Sequence, residues 1–240
     1  GTDILDIDDD GDLDLFVVNL SAQADSLFIN QGGWFTDGTA RSGLASISRP
    51  YTRFGTGFFD FDNDGYLDVY MANGKVLMSE LPNQADIYAE ENLLISGSAV
   101  QMFTEVLPRG GVLTSLSDTS RGTGVGDIDG DGKLDIVVIN RDAPAYLLMN
   151  KTDSANSVSL RLFDEYQNKI QHAKVLFKIG ERSIRRDLKV TSGYCGSHEP
   201  RLHIGLGDAK KIEQVEITWS DQSVTTVDSI PAGRHDITKD

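Results

Sequence analysis

Residues 60–68 read DFDNDGYLD, and the same nine-residue pattern returns as DIDDDGDLD at residues 6–14 and DIDGDGKLD at residues 127–135. Each copy runs directly into an apolar, largely β-branched stretch, which reads LFVVN, VYMAN or IVVIN. Such stretches favour buried strands. Four carboxylates within nine residues repel one another strongly unless a cation neutralises them. The repeat therefore predicts a cation-binding loop joined to the start of a strand.

The chemistry of the loop favours calcium over magnesium. Calcium takes six to eight oxygen ligands in a flexible shell, whereas magnesium demands near-ideal octahedral geometry. Glycine at the sixth position permits a sharp turn, and the carbonyl of the seventh residue is available whatever its side chain. The predicted ligands of three Ca²⁺ sites are the carboxylates of Asp6, Asp8, Asp10 and Asp14, of Asp60, Asp62, Asp64 and Asp68, and of Asp127, Asp129, Asp131 and Asp135, with the backbone carbonyls of Asp12, Tyr66 and Lys133.

Two other interpretations of the loops are available. An EF-hand begins in the same way, but it closes with Glu at position twelve and continues into a helix. Position twelve is Val17, Met71 or Val138 here, and the closing acid comes at position nine. The second alternative is an ordinary solvated turn, because such turns also use Asp and Gly. If an ion is bound, it either stabilises the fold or bridges a ligand.

Apolar side chains are expected to hold the loops against a core: Leu13, Leu67 and Leu134, with Ile7, Phe61 and Ile128.

The spacing of the loops suits blades of about four strands each. We therefore predict an all-β protein, with a partial β-propeller of about three blades over residues 1–152 and a small all-β domain over residues 153–240. Propellers close with about four to eight blades, and the first copy is expected to lack its leading strand. Unpaired strand edges invite pairing. Either blades outside this sequence complete a ring, or the edges pair with copies of the chain or with a partner.

Strand positions follow from alternating and β-branched runs. Residues 75–91 interrupt the second repeat and predict a surface excursion with partial helix. In the C-terminal unit, Val175, Phe177, Ile179, Ile217 and Trp219 are expected to face a core. The predicted strands cover residues 52–59, 67–72, 92–96, 102–106, 121–126, 134–140, 146–149, 157–163, 173–179, 184–190, 215–219 and 224–227.

The charge is unevenly distributed along the chain. Residues 1–150 carry 8 basic and 24 acidic side chains, whereas residues 151–240 carry 14 and 13. An acidic first region is a poor partner for nucleic acid or anionic membranes, and no apolar run has the length needed for membrane insertion. The only basic cluster consists of Arg182, Arg185, Arg186 and Lys189, and it favours a solvated strand face over an anion site.

The sequence carries no recognisable catalytic motif, so we do not expect an enzyme. Cys195 is the sole cysteine, and a small buried thiol is favoured over a nucleophile. His203 is expected to have a hydrogen-bonded structural role. Cys195 and His198 alone are a weak indication of a transition-metal site.

Two sets of residues carry a family resemblance. Phe54-Gly55 and Gly57 precede the second loop, and glycines at 122, 124 and 126 precede the third. With the loops, they resemble FG-GAP/VCBS repeats, the blades of integrin-type calcium-binding β-propellers. The C-terminal part, with Gly193-Tyr194, PRLHIGLG at residues 200–207 and VEITW at residues 215–219, resembles the ASPIC/UnbV domain. Residues 219–222 read WSDQ where that family has Trp-Pro-Asp-Gly, so this turn is expected to differ.

The resemblance implies a secreted or surface-exposed, calcium-binding protein of the kind found among acidic secreted cartilage-type proteins and bacterial relatives. Calcium modules of weak affinity work outside cells, where calcium is abundant. Sequons at Asn19 and Asn150 are compatible with secretion. The leading hypothesis is an extracellular structural or interaction module of adhesion type, with protein or glycan partners. A self-assembling surface or filament subunit and a part of a propeller lyase or hydrolase are the alternatives.

Overall fold

The computed structural model describes residues 1–76, 86–153, 155–189 and 191–239 as an all-β, propeller-like arrangement. Three sheets follow one another in the first part of the chain, and each contains one acidic loop between its first two strands. Blade 1 consists of β1 (Thr2–Leu5), β2 (Asp14–Val17), β3 (Ser26–Asn30) and β4 (Phe35–Asp37); blade 2 of β5 (Arg53–Phe59), β6 (Asp68–Asn73), β8 (Leu93–Ser96) and β9 (Thr104–Glu105); blade 3 of β11 (Ser120–Gly126), β12 (Asp135–Asn140) and β13 (Tyr146–Leu148).

Short elements complete this part of the chain. A one-turn helix, α1 (Leu44–Ser48), follows blade 1, and a 3₁₀ turn covers Arg109–Gly111. Strands β7 (Glu90–Glu91) and β10 (Ser117–Asp118) form a two-stranded ribbon. The partial helix predicted within residues 75–91 falls largely on residues 77–85, which lie outside the described residues.

Blade 2 packs between the other two blades through alternate residues of β6. Val69 and Met71 face blade 1, where they contact a cluster that includes Phe16 and Leu27. Tyr70 and Ala72 face blade 3 and share a second cluster with Ile136 and Val138. Successive side chains of a strand point to opposite faces. Because both faces of β6 are covered, every residue of this strand is buried.

The C-terminal part forms two further sheets around one core. The strands are β14 (Asn156–Phe163), β17 (Leu202–Gly207) and β20 (Gly233–Thr238) in sheet 4, and β15 (Ala173–Ile179), β16 (Arg182–Leu188), β18 (Lys211–Trp219) and β19 (Val224–Pro231) in sheet 5. Sheet 4 has the order β17-β14-β20, and sheet 5 has the order β16-β15-β18-β19. Val175, Phe177, Ile217 and Trp219 are buried in this core, and Ile179 packs against it, as predicted.

The structure corrects the blade count. Five sheets of three or four strands are present among the described residues, where the sequence predicted about three blades. The two additional sheets come from the C-terminal segment. The first repeat does possess a leading strand, because β1 pairs with β2 from Thr2 to Leu5. The boundary between residues 152 and 153 stays a prediction, although the strands from β14 onward enclose a hydrophobic cluster of their own.

The connection from β16 to β17 crosses the first strands of all three blades. Gly193 forms a bridge with Thr2 of blade 1. The ring of Tyr194 lies edge-on to Phe54 of blade 2, with 5.1 Å between centroids. The N–H of Glu199 donates to the carbonyl of Val125 in blade 3 at 2.8 Å. This crossing segment, residues 192–199, therefore ties the C-terminal sheets to every blade.

Replacing Gly193 by alanine should destabilise the protein more than the same change at Gly207. Both glycines have positive φ, 67° and 57°, so both substitutions carry backbone strain. A Cβ at Gly193 would also lie 2.3 Å from the carbonyl oxygen of Thr56, whereas no atom lies within 4 Å of one at Gly207. At roughly 2–4 °C per kcal/mol for a chain of this size, we expect the thermal midpoint of Gly193→Ala to fall further by roughly 5 °C. Equal midpoints would contradict the tight crossing.

Candidate metal centres

Each acidic loop brings three carboxylates together. One oxygen from each of Asp6, Asp8 and Asp10 lies within 4.8 Å of the others, and the same holds for Asp60, Asp62 and Asp68 and for Asp127, Asp129 and Asp135. The first and third positions of the repeat belong to every group. The fifth-position acids of the second and third loops, Asp64 and Asp131, are outside their groups, as is Asp14 at the ninth position of the first loop.

The ninth-position aspartate connects each loop to its blade. One oxygen accepts the N–H of the loop's second residue at 2.8–2.9 Å. The other accepts an N–H at the end of the blade's third strand, at 2.8–2.9 Å. The pairs are Asp14 with Ile7 and Asn30, Asp68 with Phe61 and Gly97, and Asp135 with Ile128 and Asn150. The closing acid therefore fixes both the curl of the loop and its position on the sheet.

The donor set suits a hard cation. Asp6 Oδ1 and Asp8 Oδ1 are buried and have no hydrogen-bond partner in the described chain. Buried carboxylate oxygens are costly unless they are paired or coordinate a metal. Oxygen atoms from carboxylates are the ligands that calcium prefers. The two atoms therefore fit a cation at the first loop.

The fourth position of each loop has a backbone role that the sequence interpretation missed. Asp9, Asn63 and Gly130 all have positive φ, between 60° and 81°. The glycines at position six also have positive φ, between 87° and 92°. Asp, Asn and Gly are the residues that tolerate this conformation best. The sequence does indicate this role, because the fourth position varies among the three copies but is always Asp, Asn or Gly. Two left-handed residues per loop turn the chain tightly enough to gather the carboxylates.

Without a bound cation, the first and second loops hold several of their carboxylates at a raised pKa. Burial raises the pKa of Asp6 to about 7 and that of Asp8 to about 6, and neighbouring aspartates add to both shifts. In the second loop, burial raises the pKa of Asp60 to about 7 and that of Asp68 to about 8. Each shift expresses the cost of ionising the group in its folded surroundings. A cation would remove that cost.

The basic cluster of β16 is not a solvated face, which corrects the prediction. Its arginines lie against the first and second loops: Arg182 pairs with Asp9 at 2.7 Å, and Arg186 approaches the same carboxylate at 3.4 Å. Arg185 donates to the carbonyl of Gly11 at 2.7 Å. Lys189 pairs with the buried Asp3 of β1. The side chain of Arg186 is only 13% exposed, so these contacts are internal to the fold.

The other two loops also contact the C-terminal sheets. In the second loop, Asp60 Oδ2 accepts the N–H of Gly205 at 3.0 Å, and Asn63 Oδ1 lies 2.7 Å from Nε2 of His203. In the third loop, Arg234 donates through Nε to Asp127 Oδ2 at 3.1 Å. The C-terminal sheets therefore rest on all three loops, through groups that sequence spacing could not connect.

Several other predicted residues can now be placed. His203 has the predicted hydrogen-bonded role, and burial lowers its pKa to about 4. Cys195 is exposed rather than buried, because it lies on the crossing segment with a positive φ of 50°. Ile128 is 53% exposed and does not hold its loop against a core, unlike Phe61 and Leu134. The carbonyls of Asp12, Tyr66 and Lys133 stay predicted ligands.

Comparison with family models agrees with this architecture. Residues 6–71 match the FG-GAP-like repeat, and residues 121–160 match the FG-GAP repeat. Residues 169–238 match the family described as ASPIC and UnbV. The chain combines FG-GAP repeats with an ASPIC/UnbV domain. No curated protein matches it significantly.

In the ion-free protein, stability should fall as the pH rises from about 4 to about 8. The carboxyls of Asp6, Asp60 and Asp68 have folded pKa values of about 7 to 8, well above about 3.9 in an unfolded chain. The folded state therefore binds more protons in this window, so raising the pH favours unfolding. Thermal midpoints measured across the window with excess chelator should decline, and calcium should abolish the decline. A flat profile in chelator would contradict the buried, cation-free carboxylates.

Proposed function

We propose that the chain is an extracellular calcium-binding interaction module in which three calcium ions each hold one acidic loop in place on its blade. This stabilisation of the blades by calcium is the calcium staple. The observation that carries the proposal is the pair of buried, unpartnered oxygens of Asp6 and Asp8, in a loop that recurs three times among the described residues. FG-GAP repeats are typical of extracellular or surface proteins. A cation would neutralise carboxylates that otherwise repel one another.

The staple acts through the ninth-position aspartate. Asp14 belongs to β2 and accepts the N–H of Asn30 at the end of β3, so the loop and the sheet share this side chain. An ion that fixes the loop also fixes the order of the strands. Binding confined to the folded state stabilises it by mass action, by about 2.7 kcal/mol per site at one hundred times Kd.

The proposed location is outside the cell, and the proposed partners are protein or glycan surfaces. No helix in the described part of the chain is long and apolar enough to span a bilayer. The sequons give little support to glycosylation, because the side-chain nitrogens of Asn19 and Asn150 already donate to the carbonyls of Ala24 and Phe61. We propose no catalytic role, since the grouped carboxylates of the described chain belong to the loops.

Calcium stoichiometry tests the staple. We expect three ions per chain, and one fewer in each of Asp8→Asn, Asp62→Asn and Asp129→Asn, because each variant removes one charge from the third position of one loop. Asp142→Asn is the matched control, since its side chain is 84% exposed and lies outside the loops. Bound calcium after dialysis and thermal midpoints with calcium and with chelator provide the readouts. A midpoint that chelator leaves unchanged would overturn the staple.

A self-assembling subunit is the second candidate, and the free faces of the outer blades favour it. Blade 3 exposes Ile139 and Leu147, which are 53% and 55% accessible, on the face opposite blade 2. Blade 1 exposes Ile4, which is 51% accessible. Apolar blade faces are normally covered by the next blade.

Sedimentation velocity separates the two candidates. If copies associate through these faces, the wild-type mass should rise with protein concentration, and Ile139→Ser combined with Leu147→Ser should return the chain to a monomer. Leu113→Ser is the control, because Leu113 is 95% exposed and lies outside the strands. A wild-type chain that stays monomeric at all concentrations favours the interaction module alone.

A further inference from the structure

A cavity of about 140 Å³ lies between the blades and the C-terminal sheets. Its wall combines apolar side chains, such as Phe58, Val125 and Leu202, with polar side chains from both parts of the chain. A single water molecule needs roughly 10–15 Å³ on the same measure. The cavity therefore has room for a small organic molecule.

Besides Asp6 Oδ1, which is assigned to the first calcium site, four polar atoms in this wall lack a hydrogen-bond partner within the described residues. They are Ser159 Oγ, His198 Nε2, Arg201 Nη1 and His203 Nδ1. Ser159 is 3% exposed, and the side chain of Arg201 is 9% exposed. Buried polar atoms in folded proteins are almost always paired, so each exception requires an explanation. Four exceptions in one wall indicate a polar occupant.

Hydrogen bonds on the far side of each ring identify the role of the free nitrogen. The N–H of Val125 donates to Nδ1 of His198 at 3.2 Å, so Nε2 of that ring carries the proton and is a donor. Asn63 donates through Nδ2 to the carbonyls of Gly132 and Ala155, which directs its Oδ1 at His203. Nε2 of His203 must then donate, and its Nδ1 is an acceptor.

The free groups therefore form a mixed set. Arg201 and His198 offer N–H donors, Ser159 offers a hydroxyl, and His203 offers an acceptor. An oxyanion satisfies the donors but leaves His203 unpaired, whereas an anion that also carries a hydroxyl group satisfies the whole set.

The charged donor that Arg201 leaves free favours an anion. Arg201 pairs with Glu199 through Nε, so its Nη1 is left as a charged donor without a partner among the described residues. Donors on charged groups make their strongest hydrogen bonds to ionised acceptors such as a carboxylate. Asp6 and Asp60 also line the wall, and their neutralisation rests on the proposed function. The other bases of the wall already have acidic partners: Arg185 pairs with Asp187, Arg186 with Asp9 and Lys189 with Asp3.

We infer that this cavity binds a small monoanion carrying both a carboxylate and a hydroxyl group, of the size of glycolate or lactate. The carboxylate accepts from Arg201 and His198, and the hydroxyl donates to Nδ1 of His203. The apolar wall covers the carbon atoms. The cavity borders the first and second loops through Asp6 and Asp60, but nothing in the calcium staple requires an occupant in it.

Calorimetric titration of the calcium-saturated full chain with glycolate, lactate, acetate and propionate tests the proposal. The hydroxy acids should bind saturably, and the acids without a hydroxyl should bind about tenfold more weakly, because one hydrogen bond is lost. Ser159→Ala removes a hydroxyl that has no hydrogen-bond partner among the described residues, so it should weaken binding of the hydroxy acid while preserving the fold. Arg201→Lys keeps the charge beside Glu199 and should also reduce affinity by about tenfold.

Arg161→Lys is the matched control, because Arg161 pairs with Asp236 outside the cavity wall, at 2.6 Å. It should bind the hydroxy acid as the wild type does. Calcium uptake without binding of any of these acids overturns the cavity proposal and leaves the metal sites standing. Hydroxy-acid binding by a chain that takes up no calcium supports the cavity and contradicts the proposed staple. Equal affinity in Ser159→Ala, Arg201→Lys and wild type also overturns the proposal.

Discussion

Charge compensation in the three acidic loops is the constraint on which the rest of the structure depends. In the first and second loops, burial and then the neighbouring carboxylates raise the pKa of the first-position aspartates, Asp6 and Asp60, to about 7. Backbone N–H groups satisfy part of this charge, most completely at the ninth position. The unpartnered oxygens of Asp6 and Asp8 mark the part that the described protein groups leave uncompensated. A dication at these atoms would complete the balance.

The loops also determine where the C-terminal sheets lie. Their outward surfaces present the side chain of Asp9, the side chain of Asn63 and backbone carbonyls, and the sheets meet them with arginines, a histidine and backbone N–H groups. The stacking of Arg182 on the ring of Tyr66, 4.0 Å from its centroid, adds a cation–π contact to this surface. The conformation of the loops and the docking of the C-terminal sheets therefore depend on each other. A loop that opened would lose both its carboxylate cage and its contact with sheet 4 or sheet 5.

The sequence predicted local features well and long-range contacts poorly. Strand β15 was predicted with its observed bounds, Ala173–Ile179, because alternation and turn residues are local signals. The arginines of β16 were misinterpreted because Asp9 lies more than 170 residues away, and a half-polar strand has the same pattern whether water or a loop covers it. Strand β20 was missed because its pairing with β14 is parallel and non-local. Cys195 was misplaced since its residue type indicates burial, whereas the crossing segment exposes it.

The arginines and the proposed calcium ions are compatible because they use different atoms. At the first loop, Arg185 and Arg186 bond the carbonyls of Gly11 and Asp6, which leaves Asp6 Oδ1 free. At the third loop, Arg234 bonds Asp127 Oδ2, which already accepts the N–H of Gly132, and Asp127 Oδ1 accepts the N–H of Gly130. A cation there shares its first carboxylate with a guanidinium, which opposes it by like charge. We therefore expect the three loops, although nearly identical in sequence, to differ in calcium affinity, because the C-terminal sheets contact each of them in a different way.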